Sequence, residues 1–189
     1  MGFLDDILGR TKPVKSQLDQ LFAISTAYVT LTVDQSLKAS DRAGITFRPV
    51  SNADFARAGQ ELTDLLKISG QETQTKVEQM TDKFKYQWVL LQDEDFEDLV
   101  STAYMISITL QEQGFRDQLL AAVFKFYQKD QPIYWIYNYK RGSFYPFAPT
   151  SGTQERDNAL ELQMRSVMSR ELPIEPELER WYPMWDLPF

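Results

Sequence analysis

Residues 119–147 constrain the fold most, because they predict three neighbouring strands that are apolar at both alternating positions. The predicted strands are residues 119–127, 133–139 and 143–147. Turns are expected at 130–132 and 140–142, where Asp, Pro and Gly interrupt the apolar pattern. Successive side chains of a strand point to opposite faces, so strands of this kind indicate a sheet that is covered on both faces.

Aromatic side chains in these strands are interleaved with Lys125, Lys129, Lys140 and Arg141. A sheet face of exposed aromatics between basic groups is also typical of proteins that stack single-stranded nucleic acid. The chain has 20 basic and 27 acidic residues, a net charge of −7, whereas a general nucleic-acid binder needs a positive surface. We therefore expect no nucleic-acid partner. We expect helices on one side of the sheet and a tail or a partner on the other.

The rest of the chain predicts hairpins and amphipathic helices around this sheet. Further strands are predicted at 28–33, 44–50, 73–80 and 84–90, with a turn at 81–83 between the last two. Helices are predicted at 1–12, 18–24, 51–70, 93–113 and 160–172. The strands form hairpins instead of alternating singly with crossover helices. The predicted class is therefore α+β, with a single antiparallel sheet of hairpins and amphipathic helices on one face.

The length of the chain fits one such domain. Its 189 residues and 22.0 kDa predict a single α+β domain at 1–172, followed by a tail rich in Pro and aromatic residues at 173–189. The order of hairpins and helices is that of secretion-chaperone-like domains, by analogy only.

The chain contains no His and no Cys. This excludes disulfides, thiolate catalysis, Cys/His zinc sites and every triad that uses His as its base. The eight glycines are scattered singly, without the spacing of a phosphate-binding loop. The densest carboxylate cluster, residues 93–98, lacks the Gly of a calcium loop and is interpreted as a helix start capped by Asp93. We therefore expect no enzyme, and no catalytic, metal-binding or cofactor-binding residues.

The first of two adhesive segments is an amphipathic stripe near the N-terminus, made of Phe3, Leu4, Ile7 and Leu8. A helix this short is not stable alone in water, so the four side chains need a surface to pack on. Three surfaces remain open: the protein's own core, a partner helix and the membrane interface. Asp5 and Asp6 argue against a contact with anionic lipid, whereas the basic residues at 10, 12 and 15 argue for it.

The second adhesive segment is the tail at 173–189, whose aromatic residues include Trp181, Tyr182, Trp185 and Phe189. Its four prolines preclude a regular helix, and its aromatic side chains are too apolar for a free tail. The tail therefore needs a surface, either on its own domain or in a groove on a partner. A structural tail and a recognition tail both require burial of the same side chains, so the sequence does not separate them.

No apolar run is long enough to span a membrane, and the N-terminus lacks the charge and apolar core of a signal peptide. We therefore expect a cytoplasmic protein. A peripheral contact with the inner face of the cytoplasmic membrane is left open.

Blocks at both ends of the chain carry a family resemblance. The chain opens with MGFLDDILGRTK at 1–12 and has GITFRPV at 44–50. It contains LPIEP at 172–176 and closes with RWYPMWDLPF at 180–189. In order and from end to end, these blocks resemble those of the phage-shock-protein-A-associated proteins of the AB type (PspAB). The middle of the chain is similar to this family in pattern only.

The resemblance implies an accessory or adaptor protein of a phage-shock-type envelope stress system. It implies one protein partner, a phage-shock-A-like coiled-coil subunit that remodels membranes. The family has no established catalytic residues, so none is carried over to this chain. Peripheral membrane binding through the N-terminal stripe is the alternative function, and a nucleic-acid-binding sheet is a less favoured one. Candidates for the contact with a partner or a membrane are Phe3, Leu4, Ile7, Leu8, Trp181, Tyr182, Trp185 and Phe189.

Overall fold

The computed structural model describes residues 17–48, 75–152 and 154–189, with the isolated positions 53, 57, 59, 60 and 64. The predicted helix at 1–12 lies outside the described residues, as does most of the predicted helix at 51–70. Within the continuous ranges, helices on one side and the C-terminal tail on the other enclose a single sheet.

Three α-helices and six strands form in these continuous ranges. The helices are α1, Ala23–Val29; α2, Phe96–Leu110; and α3, Asn158–Met168. The strands are β1, Lys38–Phe47; β2, Lys76–Thr81; β3, Gln87–Gln92; β4, Leu119–Gln128; β5, Gln131–Asn138; and β6, Ser143–Phe147. Short 3-10 and π turns lie at Leu18–Phe22, Thr30–Asp34, Gln111–Phe115, Arg116–Gln118 and Leu178–Arg180.

The six strands form one antiparallel sheet in the order β2-β3-β1-β4-β5-β6. The predicted α+β class with a single antiparallel sheet is confirmed. Pairs β2–β3, β4–β5 and β5–β6 are hairpins, whereas β1 lies between β3 and β4, which follow it much later in the chain. Strand β1 begins earlier than the predicted strand at 44–50, and its pairing with β4 shifts register between Ala39 and Ala43.

The central strands divide their side chains between two apolar clusters. The helix face carries Ile45, Val89, Phe124, Trp135 and Phe144, which pack with the helices. The tail face carries Trp88, Val123, Tyr134, Ile136, Tyr145 and Phe147, which pack with the C-terminal tail. Every aromatic side chain of β5 and β6 is buried, as the apolar pattern on both faces predicted. These strands therefore present no open aromatic face on which nucleic-acid bases could stack.

The prediction of a strand at 28–33 is wrong, because these residues are helical and belong to the end of α1 and the π turn that follows. The buried positions of this region are Leu21, Ile24, Ala27 and Leu31, whose spacing of three and four residues is that of a helix. Packing of this helical side on the sheet and on α2 outweighs the local strand preference of the β-branched residues.

The N-cap of helix α2 lies two residues later than the predicted cap at Asp93. The carboxylate of Asp95 accepts the N–H of Glu97 at 2.8 Å and is the observed N-cap. Asp93 accepts the Asp95 N–H at 2.9 Å and the Thr75 hydroxyl at 2.7 Å, and so links the helix start to the residue before β2. The predicted buried side of this helix is confirmed: Phe96, Leu99, Val100, Ala103, Ile106, Ser107 and Leu110.

The tail first runs along the free edge of β6. Phe144 donates its N–H to the Pro173 carbonyl at 2.7 Å, and Glu175 donates its N–H to the Phe144 carbonyl at 2.8 Å. These two bonds form a parallel bridge between Phe144 and Ile174. The bridge covers part of an edge strand that would otherwise present unpaired backbone groups.

Candidate functional site

The C-terminal tail packs on the tail face of the sheet, and Trp181 belongs to the buried cluster of that face. The Trp181 side chain is 4% exposed and stacks on Tyr145, with 6.3 Å between the ring centroids. Its indole N–H donates to the Glu175 carbonyl at 3.0 Å, and Arg156 donates to the Trp181 carbonyl at 2.7 Å. Trp181 is thus enclosed by its own chain.

The buried carboxylate of Glu175 organises the first part of the tail. It accepts the Glu177 N–H at 3.2 Å and the Ser143 hydroxyl at 3.3 Å. The guanidinium groups of Arg180 and Arg141 lie 3.5 and 3.7 Å from its oxygens. A buried carboxylate is stable only with such partners, so Glu175 fixes how the tail leaves the β6 edge.

The last two predicted aromatic residues are half-buried on the same face. Trp185 meets Phe147 edge-on, with 5.0 Å between the ring centroids. Phe189 meets Trp88 and Tyr134 edge-on, at 6.2 and 6.4 Å. Edge-to-face contacts of this kind add to the stabilisation from burial alone.

Tyr182 differs from these residues, because its side chain is 58% exposed while its carbonyl accepts the Tyr145 hydroxyl at 3.1 Å. Tyr182 and Trp185 line a groove of about 1230 Å³ that we call the sheet-end groove. It lies where β1 and β5 end and β4 and β6 begin. Among the described residues, its walls are formed by residues 17–18, 46, 48, 82, 84, 86, 88, 111, 116–117, 119–121, 138–141, 145 and 182–187.

The connection between β2 and β3 forms one wall of the groove. It is longer than the predicted turn at 81–83, so Phe84 and Tyr86 lie in the connection with exposed side chains and do not belong to a strand. The Asp82 carboxylate accepts the N–H groups of Phe84 and Tyr86 at 2.8 and 2.9 Å, and the Trp88 indole N–H at 3.0 Å. Asp82 therefore holds three aromatic residues in place beside the groove.

Besides Arg141, which is paired with Glu175, three cationic side chains line the groove: Arg48, Arg116 and Lys140. Arg48 follows β1 and donates its N–H to the Gln118 carbonyl at 2.9 Å, which places it beside the start of β4. Lys140 follows β5 and is exposed. Within the described parts of the chain, none of the three side chains forms an ion pair. The groove thus combines exposed aromatic rings with unpaired positive charge.

The β5–β6 turn holds Gln17 at the border of the groove. Gly142 has φ +65°, and a β-carbon there would come within 3.2 Å of Gln17 Cγ. The turn therefore requires glycine, both for its left-handed backbone and for the close approach. The Tyr137 hydroxyl donates to the Gln17 carbonyl. Burial raises the pKa of the Tyr137 phenol, which keeps it a neutral donor.

The structure brings Tyr182 and Trp185 together in the groove and places Trp181 and Phe189 among the packing residues of the tail face. The N-terminal candidates Phe3, Leu4, Ile7 and Leu8 lie outside the described residues. Sequence reasoning missed the cations at 48 and 116 altogether. No local signal marks them, because strand pairing alone brings them to one end of the sheet.

Two further findings concern the described residues only. They contain no group of three or more acidic side chains placed to hold a metal ion. They also contain no helix with the length and hydropathy needed to cross a membrane.

The fold and the groove define a class: an α+β protein whose single antiparallel sheet is covered by helices on one face and by its own aromatic tail on the other. The family model of PspA associated protein B matches residues 1–189, and the chain belongs to this family. The resemblance of its terminal blocks is thereby confirmed. Comparison with curated proteins and with solved structures gave no match.

Proposed function

We propose that this chain is a non-enzymatic accessory protein of a phage-shock-type envelope stress system. We further propose that it binds the phage-shock-A-like coiled-coil subunit through the sheet-end groove. The family description, which names association with PspA, supports the choice of system and partner. The observation that carries the choice of surface is the combination of exposed aromatic rings and unpaired cations in one groove.

A coiled-coil subunit is built from amphipathic helices, whose apolar stripe is flanked by charged residues. Such a helix binds in a groove that offers apolar contact along its floor and opposite charge at its border. Phe84 and Tyr182 supply large exposed rings, at 59% and 58% exposure, and Lys140 supplies positive charge in the same groove. Tyr and Arg are also the residues that most often dominate binding energy at interfaces.

The non-enzymatic part of the proposal follows from the side chains that are present. The chain has no His and no Cys. The groove carboxylate of Asp82 is occupied by three N–H donors, and that of Asp186 by the Lys83 ammonium at 2.6 Å. These two carboxylates therefore have structural partners, and Asp117 is the third acidic residue of the lining.

The test is light scattering on a sizing column, with the chain alone and then mixed with the phage-shock-A-like subunit of its own genome. We expect a joint peak. Tyr182→Ala and Lys140→Glu should each weaken the complex by about tenfold or more, since both residues are exposed groove residues of the hot-spot type. Lys38→Glu is the matched control, because Lys38 is exposed at the opposite end of β1.

Two separate peaks would contradict the proposed partner. A joint peak that both groove variants leave unchanged would contradict the groove as its binding surface. Truncation of residues 1–12 then tests whether the N-terminal stripe contributes to the same complex.

The proposed location is cytoplasmic, at the inner face of the cytoplasmic membrane. Peripheral binding through Phe3, Leu4, Ile7 and Leu8 remains the competing hypothesis, supported by their amphipathic spacing. Co-sedimentation with anionic vesicles tests it, because Leu4→Asp should release a protein that binds lipid through this stripe. Equal sedimentation of both proteins would contradict membrane binding through the stripe.

A further inference from the structure

We infer that, in the isolated protein, the sheet-end groove is a docking site for the chain's own residues 1–12. The occupant is the amphipathic segment that carries Phe3, Leu4, Ile7 and Leu8, which lies outside the described residues. The inference goes beyond the proposed function, because it concerns the protein without any partner.

The described part of the chain begins at the groove. Gln17 lines the groove, and two contacts hold it there: the Tyr137 hydroxyl on its carbonyl and the β5–β6 turn against its side chain. The residues before Gln17 are therefore tethered at the border of the groove. The nine residues from Gln17 back to Leu8 span up to about 30 Å when extended.

The segment and the groove share apolar and charged groups. Asp5 and Asp6 lie between the four apolar side chains of the segment, while the basic residues Arg10 and Lys12 follow them. The groove carries exposed aromatic rings, the unpaired cations at 48, 116 and 140, and acidic residues at 82, 117 and 186. Attachment at Gln17 keeps the segment at a high effective concentration beside the groove, so it competes strongly with any separate molecule.

Residues 1–12 and the helix of the proposed partner would compete for the same groove. The two proposals fail separately, because docking of the segment is measured on the chain alone.

The experiment uses the absence of cysteine in the chain, which allows cysteine pairs to be introduced without other changes. Leu8→Cys is combined with Met184→Cys in the groove, and the disulfide is trapped in dilute protein by mild oxidation. The control pair is Leu8→Cys with Val33→Cys, since Val33 is 70% exposed and lies beyond α1. We expect at least about fivefold more intramolecular cross-link in the groove pair than in the control pair.

A charge exchange separates docking from a general effect on folding. Asp5→Lys with Asp6→Lys should reduce the cross-link to the level of the control pair. Adding Arg48→Glu and Lys140→Glu to that protein should restore it, whereas adding Lys38→Glu should not. Far-UV circular dichroism of each variant confirms that the fold is intact.

Equal cross-linking of the groove pair and the control pair would overturn the inference. Cross-links found only between two chains would overturn it in favour of exchange between copies. No cross-link, together with vesicle binding that Leu4→Asp abolishes, would overturn it in favour of a lipid surface.

Discussion

Single side chains decide how closely the tail lies on the sheet. At Gly44, in the middle of β1, an added β-carbon would stand 2.7 Å from Cε1 of Phe189 and 3.3 Å from Cε3 of Trp88. Glycine in a strand loses more chain entropy on folding than other residues do, and it is retained where another group approaches closely. At Gly44, the group that approaches closely is the ring of Phe189.

We therefore predict that Gly44→Ala destabilises the protein by about 1–2 kcal/mol through overpacking, as measured by urea unfolding. In a Phe189→Ala background the same substitution should cost less than about 0.5 kcal/mol, because the ring is gone and alanine restricts the unfolded chain. Equal effects in the two backgrounds would contradict the close contact between Gly44 and Phe189.

The Tyr145 phenol links the tail to the sheet and predicts a pH dependence. Burial raises its pKa above the ordinary value of 10.0, with a partly opposing effect of Arg156. A raised pKa means that the folded state holds the proton more tightly, so this stability is present below pH 10 and lost as pH rises above it. The loss approaches about 1.4 kcal/mol per pH unit for one phenol.

We predict that the free energy of unfolding falls more steeply above pH 10 for the natural protein than for Tyr145→Phe. The slopes should differ by about 1.4 kcal/mol per pH unit once the unfolded phenol is ionised. Urea unfolding at several pH values between 9 and 12 measures both slopes, and parallel curves would contradict the shift.

At the scale of elements, the tail behaves as a further layer of the fold. It pairs with the β6 edge at residues 173–175, and Trp181 then enters the apolar cluster of the tail face. The adjacent residue Tyr182 points to water and lines the groove. Two adjacent residues of the tail thus have different roles: Trp181 packs in the fold, and Tyr182 belongs to an open surface.

This division predicts opposite outcomes for two adjacent substitutions. Trp181→Ala should destabilise the protein by about 3–5 kcal/mol, because it empties a buried aromatic site. Tyr182→Ala should change stability by no more than about 0.5 kcal/mol, since its side chain is exposed and its carbonyl still accepts the Tyr145 hydroxyl. Thermal or urea unfolding compares the two, and similar losses would show that the tail packs differently.

At the scale of the whole molecule, the two edges of the sheet differ. The β6 edge is partly covered by the tail, while β2 at the other edge has a largely exposed, polar pattern. Charged residues on an edge strand oppose pairing with another chain. We therefore expect the tail to belong to the cooperative unit and β2 to be its least protected strand.

Native-state hydrogen exchange tests this arrangement. We predict that the Glu175 amide is as protected as those of β5, because it donates to Phe144 inside the fold. Amides of β2 should exchange at least about tenfold faster, through local opening. Exchange at Glu175 as fast as in β2 would mean that the tail detaches on its own.

The sequence by itself determined the elements whose pattern is strong and local. Strands β4 to β6 and the buried side of α2 follow from apolar spacing. The burial of the tail follows from the favourable free energy of removing its aromatic side chains from water. The class of the sheet followed from the hairpins. The family followed from the blocks at both ends of the chain.

Tertiary structure alone decided the remaining features. Residues 28–33 are helical because the spacing of Ile24, Ala27 and Leu31 fits the sheet and α2 better than a strand does. The tail lies on Trp88, Tyr145 and Phe147, a surface that exists only once distant strands pair. The groove cations meet for the same reason: contacts between residues far apart in sequence depend on the whole packed chain, which no local pattern encodes.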